Sequence, residues 1–255
     1  MTFRRKRPQA TREQRLALLM EAAQSTPYYG SQLIGTYDRF EEWLAALPVL
    51  RVEEVHRERA RLQNRGSELT VSDFRYPIQP SPEVTALVRG FRAARGLRMP
   101  TRWDEFELIA SLQDGALAAP VHVLRSLAVP GRRLDYPLVA FTGPLHGLLS
   151  DEDRDLFWRC FGVPAFEQWL GLRNEVLAEE CEAHDSLHIR TSEALFELAG
   201  SELLATSLVN LEMPALRLAM GVTGRIVDGG CLCGKPGLRL TDLAALKAAA
   251  GAWCG

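Results

Sequence analysis

Apolar residues recur at helical spacing near the start of the chain. Leu16, Leu19, Met20 and Ala23 fall three or four apart, Thr11 and Gln14 are placed as a capping box, and Thr26 and Pro27 end the pattern. This predicts an amphipathic opening helix. A second helix is expected over 39–46, ended by Pro48, and a third over 52–62, ended near Asn64 and Gly66. Residues 71–82 carry three prolines and read as an extended loop. Helices are expected over 83–94 and 103–119, where Phe106, Ile109 and Ala110 share a face. Residues 1–130 therefore read as mainly helical.

After Pro130 the period changes. Residues 136–141 form a short apolar run rich in β-formers, bounded by Thr142, Gly143 and Pro144. Ser150 then caps a helix whose first turn is acidic (Asp151, Glu152, Asp153), whose inner stripe is Leu156, Phe157 and Cys160, and which Gly162 ends. A second strand at 165–170 completes a strand-helix-strand unit of the kind that builds a parallel sheet. Shorter strands are expected at 187–190, 194–198, 203–207 and 224–227, and Ala-rich 241–253 reads as a closing helix. The fold class is α/β. The chain is expected to be one domain over 1–255, with a mainly helical part at 1–130 and an α/β part with a small mixed sheet at 131–255.

Composition narrows the function. With 255 residues and 47% hydrophobic content the chain can bury a full core. No run of about 18 uncharged apolar residues exists. The basic start (Arg4, Arg5, Lys6, Arg7, Pro8) leads into a charged helix, not an apolar signal core, so the expected location is the cytoplasm, with no membrane contact. A formal net charge of −2 supplies no polycation field for nucleic acid. Five cysteines, an odd number in a reducing compartment, point to metal, core packing or a nucleophile in place of a disulfide framework.

The candidate chemistry lies between Glu179 and Gly234. Cys181 precedes His188 by seven positions, and Cys231 and Cys233 sit in the Gly-rich turn 229–234. Glycines permit the positive φ angles that let two such thiolates face one cation. Three sulfurs and one imidazole complete a tetrahedral zinc shell with no open position, a structural rather than a catalytic site. A Cys-x-Cys pair alone is also compatible with buried free cysteines. His184 can replace His188 in the shell. His56, His122 and His146 have no cysteine nearby, and Cys160 and Cys254 have no base beside them in sequence to make either a nucleophile.

These residues resemble the phenylacetate-CoA ligase family of adenylate-forming enzymes. The stretch from Glu180 to Ile189 (ECEAHDSLHI), then Thr206, Ser207 and Leu208, then Met213 to Arg217 (MPALR) and Cys231 to Gly234 (CLCG), follow in the family's order. Upstream, Phe161, Gly162, Val163 and Pro164 lead to Leu170 and Gly171 as in the family's approach to its adenine-binding turn; Pro27, Tyr28, Tyr29, Leu47 and Pro48 resemble its opening. The likeness covers about 135–240 and 20–60. It implies the N-terminal domain of an adenylate-forming enzyme, and zinc held through Cys181, His188, Cys231 and Cys233.

The departures from the family pattern matter as much. No Ser/Thr/Gly-rich loop is present to cradle ATP phosphates. The family's tyrosine before the turn glycine appears as Leu170. Its magnesium-positioning acid falls at Asn174, unless a gap brings Glu175 into register, and its ribose-binding aspartate falls at Val222. Arg217 is kept. No counterpart of the family's mobile C-terminal domain is expected after 241–253. Binding of ATP and magnesium is therefore not expected, and the implied role is a pseudoenzyme, an accessory or interaction protein beside an acyl-activating enzyme. An acyl- or CoA-binding protein completed by a partner in trans, and an inert zinc fold with an unrelated protein partner, are the alternatives.

Overall fold

The computed structural model describes residues 10–32, 40–64, 82–95 and 117–246. The expected loop at 71–81, the basic start, residues 103–116 and Cys254 lie outside these segments.

The strand-helix-strand reading is met. Strand β2 (Leu138–Thr142), helix α8 (Asp151–Phe161) and strand β3 (Ala165–Leu170) form a continuous unit in which β2 and β3 pair in parallel, Leu138 opposite Ala165. Both strands are fully buried, as expected of parallel strands covered on both faces. Leu138, Ala140 and Ala165 point to one side, onto Phe157, Cys160 and Phe161 of α8. Val139, Phe141 and Phe166 point to the other, where Val84 of helix α6 (Pro82–Arg95) packs. At the start of α8, Ser150 Oγ accepts from Asp153 N, and the Asp153 carboxylate accepts from Ser150 N. Gly162, at φ 71°, ends the helix in the left-handed conformation that glycine adopts without strain.

Two expected helices are corrected. Residues 117–119 belong not to a helix but to strand β1 (Leu117–Pro120), parallel to β2. Leu117 and Ala119 face the α8 side and Ala118 the α6 side, so the apolar run is buried on both faces. Pro120 leads into helix α7 (Val121–Leu127), which the sequence reading missed. Residues 241–245 of the expected closing helix likewise form part of strand β9 (Arg239–Ala245), and 247–253 lie outside the described segments. Alanine is a strong helix former, but propensity amounts to tenths of a kcal/mol per residue, and antiparallel pairing of 241–245 with β8 overrides it.

The remaining strands are β4 (Val176–Glu180), β5 (Leu187–Ile189), β6 (Ala194–Ala199), β7 (Glu202–Ser207) and β8 (Leu218–Val227). The sheet is large and mixed rather than small: among the described residues it has nine strands in the order β1-β2-β3-β4-β5-β9-β8-β7-β6, parallel only among the first three. β4 escaped the sequence reading because its last two residues, Glu179 and Glu180, are acidic yet buried. β8 is longer than expected, since Gly221 and Gly224 interrupt its β-rich character.

Three helices met by the sequence reading share a core with this sheet. Helix α1 (Arg12–Ser25) carries the Thr11 and Gln14 capping box, and Leu19 and Ala23 are fully buried. The expected helix at 39–46 is α3 (Phe40–Ala46). That over 52–62 is broken at Glu58 into α4 (Val52–Arg57) and α5 (Arg59–Leu62), and a short helix α2 (Pro27–Gly30) follows α1. Leu19, Tyr29, Trp43 and Leu50 pack with Trp169, Leu203, Leu216 and Leu218 in one core. Hydrogen bonds fix the docking: Leu216 N donates to Tyr29 Oη at 3.0 Å, and Leu50 pairs with Leu218 as an isolated bridge. Among the described residues no helix is long and apolar enough to cross a membrane.

Candidate metal centre

Antiparallel pairing of β4 with β5 places Glu179 opposite His188, and pairing of β5 with β9 places His188 opposite Arg239. The turn after β4 begins at Cys181, whose carbonyl accepts from His184 N at 3.1 Å. The connection from β8 to β9 carries the other two thiols. There Cys231 N donates to Lys235 O at 3.1 Å and Gly234 N to Cys231 O at 2.8 Å, with Gly234 at φ 83°. Cysteines two apart thus project from one tight turn.

Cys181, His188, Cys231 and Cys233 converge, their ligand atoms all within 4.8 Å of one another. Cys181 Sγ lies 3.5 Å from Cys231 Sγ, and Cys233 Sγ lies 3.4 Å from His188 Nε2. Zinc bonds of about 2.3 Å to sulfur and 2.0–2.1 Å to nitrogen put the edges of a tetrahedron at about 3.8 Å and about 3.5 Å. These two edges already have that size. The cluster is thus a group that could hold a metal ion, and all four of these cysteine and histidine side chains are buried or half-buried.

The electrostatics suit a cation. Burial pushes the Cys181 thiol up to about 12, with the neighbouring Cys231 and Cys233 thiols adding to the effect. A buried thiolate there needs a positive partner, which a divalent ion supplies. Burial alone would raise Cys231 too, but hydrogen bonding from the Cys233 backbone and from the adjacent thiols carries it below its ordinary value. Burial, Lys235 and Arg239 lower His188, keeping the imidazole neutral as metal ligation requires.

His184, the other histidine considered, is placed elsewhere. At φ 54° it stacks on Phe166 with ring centroids 4.5 Å apart, and its Nδ1 lies 3.0 Å from Glu180 Oε1. Cys160 is buried among the side chains of the α8 core.

Solved structures of 2-hydroxyisobutyryl-CoA ligase share this architecture. The open conformation in complex with 2-HIB-AMP and CoA aligns with a TM-score of 0.58 at 12% identity, over 96% of this chain and 75% of that one. The postadenylation state in complex with 2-HIB-AMP gives 0.59 at 12% identity, over 97% and 73%. The fold is that of the adenylate-forming CoA ligases. At this identity the likeness speaks for the fold alone. No family model and no curated protein matches the sequence.

The residues that the sequence resemblance singled out have these surroundings in the structure. Leu170 is fully buried in the core beside α6, and Val222 is buried in the core that holds the N-terminal helices. Asn174 Oδ1 lies 3.2 Å from His146 Nε2, across the ends of β2 and β3. Glu175 accepts from Arg173 N at 2.7 Å, and a Cβ on Gly171 would meet its carboxylate at 2.4 Å. Burial raises that carboxyl above its usual range. Arg217 donates to the Leu47 and Ala45 carbonyls at the end of α3 and pairs with Glu197 at 2.7 Å, which gives it a structural task. Gly143 lies against the Leu170 carbonyl and the Trp169 ring, at 2.3 Å and 3.0 Å from where a Cβ would stand.

The sequence reading missed the groups around the metal cluster: Asp185, Ser186 and Arg239. Arg239 lies in what read as loop before an expected helix. Only the strand pairing of β9 with β5 brings it beside the cysteines.

Proposed function

We propose that this chain is a zinc-binding, catalytically degenerate protein of the adenylate-forming fold, working as an accessory or interaction protein beside an acyl-activating enzyme. The observation that carries the reading is the convergence of Cys181, His188, Cys231 and Cys233 into one cluster. Three thiolates and an imidazole fill a tetrahedral shell, leave no position for substrate or water, and bind zinc in preference to harder divalent ions. The ion would tie the turn after β4 to the connection between β8 and β9.

The second element, loss of catalysis, is supported by Leu170 and Val222. Both are packed into apolar cores, and neither can hydrogen-bond a ribose or stack as the family's tyrosine does. The Glu175 carboxyl is engaged by its own turn. Purified protein is expected to contain one zinc per chain by elemental analysis and to show no pyrophosphate exchange into ATP with aryl or fatty acids. Exchange above background would end the pseudoenzyme reading, and protein isolated without metal would end the zinc reading.

One observation favours a second reading. The proteins of like fold are CoA ligases, captured with an acyl adenylate and with CoA. An acyl- or CoA-binding protein completed by a partner in trans therefore stands beside the first. It requires stabilisation by a ligand: a rise in melting temperature with an acyl-CoA at large excess supports it, and a flat response across acyl-CoAs, nucleotides and aryl acids removes it.

A further inference from the structure

We infer that Arg239 is a positioning residue of the metal centre: it joins the two ligand-bearing turns and sets how tightly an ion is held there. This rests on the zinc reading above. Arg239 stands on β9 directly opposite His188, with a side chain only 12% exposed. Its Nη1 donates to Ser186 Oγ at 3.0 Å and lies 3.8 Å from Asp185 Oδ2, both on the turn between Cys181 and His188. Its Nη2 donates to the Gly230 carbonyl at 3.0 Å, one residue before Cys231. The circuit closes through the sulfur, because Ser186 Oγ donates to Asp185 Oδ1 at 2.7 Å and Cys231 Sγ lies 3.5 Å from the same oxygen.

The geometry of the guanidinium makes this possible. Its planar fork offers donors in two fixed directions, which a lysine ammonium does not, and here one terminal nitrogen serves each turn. Nε is buried without a partner among the described residues, a cost accepted in an orientation that serves the two turns. Charge works in the same direction. Three thiolates around a divalent ion leave one net negative charge, and a guanidinium held against both turns offsets it. Groups that hold metal ligands in place act on the ion through orientation and basicity, and their loss typically lowers affinity about 10- to 100-fold.

The experiment is competition for zinc against a chromophoric chelator, run on full-length wild type, Arg239→Met, Arg239→Lys and Ser186→Ala, with melting curves of metal-free and metal-loaded protein. Arg239→Met is expected to lose about 10- to 100-fold in zinc affinity, and its melting temperature should gain less from zinc than that of wild type. Arg239→Lys keeps the charge but not the fork and should fall between the two. If Arg239→Met does not fold, Ser186→Ala, which removes only the hydroxyl that receives Nη1, should still weaken zinc measurably. A residue that merely stabilises the sheet would lower both melting temperatures equally and leave zinc affinity unchanged, and that result overturns the inference. Wild type that takes up no zinc defeats the proposed function, and this inference with it; wild type and variants that bind zinc alike defeat this inference alone.

Discussion

Glu167 and Glu180 are buried carboxylates on neighbouring strands that share one guanidinium. Arg154 lies 3.4 Å from Glu167 Oε2 and 3.1 Å from Glu180 Oε1. Thr142 Oγ1 donates to Glu167 at 2.7 Å, and Glu167 N donates to Glu180 at 2.6 Å. Burial, then the charge of Glu180, raises the Glu167 carboxyl from 4.5 to about 7. A carboxyl raised in this way stabilises the fold while protonated, and that contribution fades as pH climbs from the unfolded value of 4.5 through about 7. Denaturant melts of metal-loaded protein should therefore show stability falling by about 2 kcal/mol across this window, and Glu167→Gln should flatten the decline. An unchanged slope in the variant would show that Glu167 stays ionised. None of this was legible in the sequence, where Glu167, Gln168 and Trp169 give no sign that Glu167 and Glu180 meet.

Helix α8 shows how far local signals reach at the level of an element. Its Ser150 cap, acidic first turn and Gly162 stop were readable because every one of these interactions spans only a few residues. What was not readable is that Asp153, the third residue of the helix, also takes a two-pronged bond from Arg125 on α7, at 2.6 Å and 2.7 Å. That bond locks α7 to α8 over the buried strands, and Arg125 raises no signal of its own in the sequence. Asp153→Ala removes the cap bonds and the ion pair together and is expected to cost about 2–3 kcal/mol in chemical denaturation. Ser150→Ala removes only part of the cap and should cost about 1 kcal/mol. Equal losses would mean that the Arg125 pair contributes little. The strands divide in the same way. β3 was located to the residue by its place just after the Gly162 helix stop, whereas β4 hides two glutamates in the core and β9 reads as helix from composition.

Across the whole molecule the Cys/His cluster links parts of the chain far apart in sequence, Cys181 and Cys231 standing 50 positions apart. An ion held only where the fold gathers all four donors adds its binding free energy to folding, so chelation should destabilise the protein broadly rather than at one turn. Removal of zinc is expected to lower the melting temperature by about 10 °C, restored on adding zinc back. A melting curve indifferent to a strong chelator would argue that the cluster holds no structural ion. The sequence by itself determined the donor chemistry, three thiols with a histidine close to one of them, and most of the helices, because capping, periodicity and glycine turns act within a few residues. It left open which histidine belongs to the cluster and gave no account of Arg239. The tertiary structure decided both: pairing of β5 with β4 and β9 turns His188 toward the thiols, while His184, held at a positive φ, stacks on Phe166 and meets Glu180. The physical reason is range. Local preferences amount to tenths of a kcal/mol per residue, and a strand gripped on both edges, or a buried cluster built from two distant turns, outweighs them.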